Sequence, residues 1–108
     1  MIEILKQKEV VMENDAIKIK DPNAILIYGF NWQKYLPEET VIDEHWITVN
    51  DGVEEAGGLA ISNDYHTDTQ VFFIASGGIL GREYDVTCKV KYGVESDDRT
   101  MKIIINNR

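Results

Sequence analysis

The sequence has one cysteine, Cys88, in 108 residues, so it can form no intrachain disulfide and suits a chain that folds in a reducing compartment. It is also short of basic residues: 11 Lys and Arg stand against 19 Asp and Glu, for a net charge of −8. A surface of that sign repels phosphate backbones and anionic lipid, so neither nucleic acid nor a membrane is an expected partner. Long apolar runs are lacking too. The longest, residues 24–30 and 71–75, fall far below the ~20 residues of a membrane-spanning helix, and Glu3 and Lys6 interrupt the start before a signal-peptide core could form. No secretion signal is expected. Length adds a further exclusion, because 108 residues make one core and leave no room for a separate cofactor domain.

Catalytic material is equally scarce. His45 and His66 are the only histidines, and there is no glycine-rich phosphate loop and no His-Glu-x-x-His spacing. Neither nucleophilic nor zinc catalysis is expected, and no cofactor. Asp64, His66 and Asp68 alternate and could offer oxygen and nitrogen ligands, but a polar loop is the simpler reading and no metal is expected. Cys88, on an apolar strand face, reads as a small buried hydrophobe rather than a thiolate.

What the sequence does contain is strand pattern. From residue 24 onward, short β-type runs are separated by turn residues. The clearest covers residues 83–92, where Tyr84, Val86, Cys88 and Val90 share one face and Asp85, Thr87, Lys89 and Lys91 the other. In residues 99–106, Met101, Ile103 and Ile105 alternate with Thr100, Lys102 and Asn106, and Ile104 breaks the polar face. A polar turn over 93–98 would join these two as a hairpin. Upstream, residues 70–76 predict a well-covered strand ending at Gly77-Gly78, and 24–28 a strand after Asp21-Pro22. Residues 41–49 predict a strand carrying Ile42, Trp46, Ile47 and Val49, with a bulge to keep Glu44 off the apolar face. Residues 59–61 form a weaker candidate, bounded by Gly57-Gly58 and Ser62-Asn63-Asp64. Residues 1–20 fit a helix or a hairpin turning at Asn14-Asp15; the strand reading is preferred. The acidic pairs Glu38-Glu39, Glu54-Glu55 and Asp97-Asp98 read as solvated loops.

About seven strands with turns every eight to twelve residues is the pattern of an immunoglobulin-like β-sandwich, all-β in class. Tyr84, four residues before Cys88 at the start of the penultimate strand, is placed to bond back to the preceding corner. Trp46 is the candidate for the central core aromatic. Exposed rings could also make a sugar-stacking platform. Of Tyr28, Trp32, Tyr35 and Tyr65, the first two fall in or beside an apolar strand and read as core, and the other two are too few and too separate.

Taken in order, a set of short blocks resembles one family of proteins. They are Lys20-Asp21-Pro22-Asn23-Ala24, Tyr28-Gly29-Phe30-Asn31-Trp32 with Leu36, Glu39-Thr40-Val41, and Trp46-Ile47-Thr48-Val49. Ser76-Gly77-Gly78, Gly81, Tyr84-Asp85-Val86-Thr87-Cys88, Asp97-Asp98-Arg99 and the closing run 103–108 follow. Together they resemble small Ig-like bacteriophage and prophage virion proteins, the phage fiber-tail adaptor proteins. The resemblance implies a non-enzymatic structural protein of the virion, assembled in the bacterial host cytoplasm. Its implied partners are phage tail or fiber proteins, and the setting leaves room for a homo-oligomer. The resemblance begins at Lys20, and ahead of it Ile2, Ile4, Leu5, Val10, Val11, Ile17 and Ile19 are more apolar than a free tail, so 1–19 is read as an N-terminal segment, edge strand or arm, and 20–108 as the sandwich domain. The acidic loop 51–58 and the first nineteen residues depart from the family pattern. The competing reading is an Ig-like adhesion module that binds carbohydrate on a bacterial surface.

Overall fold

The computed structural model describes residues 10–12, 17–52 and 55–107, and eight strands with one short 3₁₀ helix make up their regular structure. In chain order these are β1 (Val10–Met12), β2 (Ile17–Lys20), β3 (Leu26–Asn31), β4 (Glu44–Val49), the 3₁₀ helix Asn50–Gly52, β5 (Leu59–His66), β6 (Gln70–Gly77), β7 (Glu83–Tyr92) and β8 (Glu95–Ile105). One four-stranded sheet has the order β1-β3-β6-β5 and the other β2-β8-β7-β4. By position these correspond to the A-B-E-D sheet of an immunoglobulin sandwich and to its G-F-C sheet with one N-terminal strand added. All pairings are antiparallel except those of the two N-terminal strands, β1 with β3 and β2 with β8, which are parallel. Residues 17–20 thus supply a strand of the sandwich itself, while the expected turn at Asn14-Asp15 and residues 1–9 lie outside the described residues.

Period-2 alternation decides which side chains meet between the sheets. On β7, Tyr84, Val86, Cys88, Val90 and Tyr92 point inward, and on β8 Met101, Ile103 and Ile105 do. They pack on Tyr28 and Phe30 of β3 and Val71, Phe73 and Ala75 of β6, with Trp32 and Ile42 filling from the adjoining loops. Each large apolar side chain so buried contributes about 1.5–3 kcal/mol. Tyr28 and Phe73 face each other across strands, their rings stacked at 5.6 Å.

Several expectations need correcting. Trp46 is not the core tryptophan: it lies on the outward face of β4 with 44% of its surface exposed, and Trp32 is the buried one. Glu44, Trp46 and Thr48 share that outward face while His45, Ile47 and Val49 point in. No bulge is needed, because Ile42 precedes the strand and does not fix its parity. The β7–β8 turn is only Gly93-Val94, with Tyr92 paired to Glu95, so Asp97 and Asp98 belong to a strand rather than a loop. That extension is solvated on both sides, which is why its charges mimic a loop. Finally, β5 runs on to His66 through a register irregularity between Ser62 and Tyr65, where Asn63 takes a positive φ of 50°.

Candidate functional site

The two sheets leave a seam where the edge strands β4 and β5 face each other, and its two ends differ chemically. At one end the β5 irregularity brings Asp64 and His66 against His45 of β4. His45 Nε2 lies 2.7 Å from Asp64 Oδ2, and His45 Nδ1 lies 2.6 Å from His66 Nδ1, the rings meeting edge-on. One imidazole therefore donates at Nδ1 while the other accepts, and both cannot carry a proton there. Burial and the neighbouring His45 hold His66 below the ordinary imidazole range, with Asp43 and Asp68 opposing.

At the other end the seam opens into a cleft of about 590 Å³ between Ile47, Val49, Leu59 and Ile61, with Tyr84 and Glu55 at its wall. Tyr84 is buried; its hydroxyl accepts a hydrogen bond from the Ile79 N–H at 3.1 Å and donates to Glu55 Oε1 at 2.7 Å. Burial, then the bond to Glu55, pushes its pKa up. The expected bond back to the preceding corner is therefore present, and it is shared with the acidic loop.

Further hydrogen bonds lock that corner. Lys20, wholly buried, donates from Nζ to the carbonyls of Asp21 (2.9 Å) and Gly77 (2.8 Å), tying β2 to the end of β6 in the other sheet. Desolvation holds its pKa below the usual lysine range, with Asp21 opposing. The Gly81 N–H donates to the Ile105 carbonyl and the Ile105 N–H to that of Arg82.

Of the other residues singled out from the sequence, Cys88 is buried on the inner face of β7. Trp46 stands on the outer face with Lys89 Nζ 5.9 Å from its ring centroid. Asp64 and His66 come together, but through His45. Among the described residues no group of three or more His, Cys, Asp or Glu is placed to hold a metal ion. The rings considered as a sugar platform are dispersed. Tyr28 and Trp32 are fully buried, Tyr65 stacks on Phe72 at 5.2 Å, and Tyr35 lies under the Arg99 guanidinium at 4.0 Å. Sequence reasoning did not pair His45 with His66. The signal was there in Ser62-Asn63-Asp64, which reads as a stop but here re-aims a continuing strand.

The described residues of the site combine edge strands, a cleft and an exposed tryptophan. No helix among the described residues is long and apolar enough to cross a membrane. No curated protein matches the chain. A family model, Podophage GP4 fiber-tail adaptor protein gp77, matches residues 20–104.

Proposed function

Since the chain belongs to the podophage GP4 fiber-tail adaptor family, we propose that it is a non-enzymatic tail component of the virion that holds tail and fiber proteins together through its sheet edges and loops. The observation that carries this reading is the family match across residues 20–104, which begins at the buried Lys20 of β2 and runs through the last core strand. Two features of the fold support it. The sandwich exposes a large aromatic, Trp46, on an edge strand, and the seam beside that strand opens into a cleft whose walls mix Ile47, Val49, Leu59 and Ile61 with polar groups of Thr48, Glu55 and Tyr84. The net charge of −8 favours partners with basic docking surfaces.

The carbohydrate reading has less to draw on, because two of its four candidate rings are buried and the other two pack on neighbours, Tyr65 on Phe72 and Tyr35 under Arg99. Co-expression with phage tail and fiber proteins, followed by affinity capture, tests the adaptor role, with a glycan array run in parallel. Stoichiometric capture of a tail or fiber protein is expected. Glycan binding without any such capture would replace the adaptor reading with the adhesion module.

A further inference from the structure

A sheet edge offers unpaired backbone N–H and C=O groups to any passing strand, so folded proteins blunt their edges with short strands, bulges, lysines or inward charges. Among the described residues the two sheets have four edge strands, and three of them are blunted. β1 has three residues. β2 carries Lys18 and Lys20, the second pointing inward and buried. β5 breaks register between Ser62 and Tyr65. β4 alone is left plain: six residues in unbroken register with β7, without proline, lysine or bulge, and with Trp46 44% exposed at its middle.

We propose that β4 pairs antiparallel with β4 of a second copy across a two-fold axis, joining two four-stranded sheets into one of eight strands. Register follows from side-chain parity. Residues directly opposite in an antiparallel pair share a face, so the outward set Glu44, Trp46 and Thr48 must oppose itself, and the axis passes at Trp46 or Ile47. An axis at Trp46 sets Trp46 against its own copy, Glu44 against Thr48 and His45 against Ile47. The pairing joins two aromatic rings on the outer face and places no like charges opposite each other. β2 lacks this self-complementarity, because Ile17-Lys18-Ile19-Lys20 paired with itself about Lys18 sets lysine against lysine. The contact goes beyond the adaptor reading in giving the Trp46 edge to a second copy, which leaves the other edges and the loops for tail or fiber proteins. Because each copy carries −8, added salt strengthens the association.

The test is light scattering or sedimentation on the full chain from micromolar to near-millimolar concentration. Twice the 12.3 kDa chain mass is expected at the upper end, shifting to lower concentration as salt is added. Trp46→Lys, on an exposed face, should leave the far-ultraviolet circular dichroism unchanged and weaken association by about tenfold or more. A chain that stays monomeric throughout, as it would if the edge served only a strand of another protein, overturns the proposal. So does a dimer that Trp46→Lys leaves intact. Should that variant fail to fold, amide exchange of the unmodified chain decides: slowing of β4 amides at high concentration supports the pairing, and its absence from β4 overturns it.

Discussion

His45 Nδ1 and His66 Nδ1 meet at 2.6 Å across the two sheets, a contact that holds one proton, and His45 Nε2 reaches Asp64 Oδ2 at 2.7 Å beside it. Burial and His45 lower the affinity of His66 for a proton in the folded state, against the pull of Asp43 and Asp68, while Asp64 engages the far nitrogen of His45. Between that lowered value and the ordinary 6.5, the unfolded chain binds more protons than the folded one, and stability falls as pH falls. The urea midpoint is expected to drop as pH is lowered from about 7.5 to about 5.5, and His66→Gln to flatten most of that slope. A slope unchanged in the variant would place the acid sensitivity elsewhere.

Tyr84→Phe removes the hydroxyl that both accepts from Ile79 and donates to Glu55. The Ile79 N–H sits in a part-buried corner, so the expected loss is about 1–2 kcal/mol, read as a lower denaturation midpoint with an unchanged slope. An unchanged midpoint would mean that water replaces the phenol there without loss.

The parts of the fold legible in the sequence are those where one physical rule acts alone. Residues 83–92 alternate cleanly because one face meets the core and the other water, and every expected inward residue is inward. Trp46 was misassigned because its apolar character and its strand parity conflict. Ile47 and Val49 fix the inner face, so Trp46 must share the outer one with Glu44. The seam was illegible for a different reason. Ser62-Asn63-Asp64 carries the composition of a turn, yet hydrogen bonding to β6 resumes after it, and only that continuation brings Asp64 and His66 to His45. Residues 95–98 looked like loop because a strand solvated on both sides has no apolar period to show.

Lys20→Ala removes two charge-assisted bonds, to the carbonyls of Asp21 and Gly77, from a buried side chain, with an expected cost of about 1.5–3 kcal/mol. The pH dependence runs opposite to that of a surface ion pair. Burial lowers the folded-state pKa, so between that value and 10.5 the unfolded chain holds the extra proton and stability rises with pH. Tyr65, Tyr84 and Tyr92, all raised above 10, act with the reverse sign at still higher pH. Denaturation followed below that range should show the rise in the native protein and its loss in Lys20→Ala. A rise that persists would assign it to another group.

Gly78 and Gly81 flank the same corner and separate two costs that glycine replacement usually mixes. Both hold left-handed backbone, φ 102° at Gly78 and 87° at Gly81. A Cβ on Gly81 would meet nothing within 4 Å, so Gly81→Ala carries backbone strain alone, about 1–2 kcal/mol. A Cβ on Gly78 would sit 2.6 Å from Ile105 Cδ1 and 2.7 Å from its Cγ1. Ile105 is fully buried in the core, so its side chain can move only by displacing its neighbours. Overpacking adds about 1–3 kcal/mol to the strain, and Gly78→Ala should be the more destabilising variant by that margin. The strain term is common to both, so Ile105→Val relieves only the second. It should recover part of the Gly78→Ala loss and none of the Gly81→Ala loss in a double-mutant cycle read by denaturant midpoint. Equal losses in the two single variants, or equal recovery in both pairs, would show that strain alone governs the corner and that Ile105 does not press on Gly78.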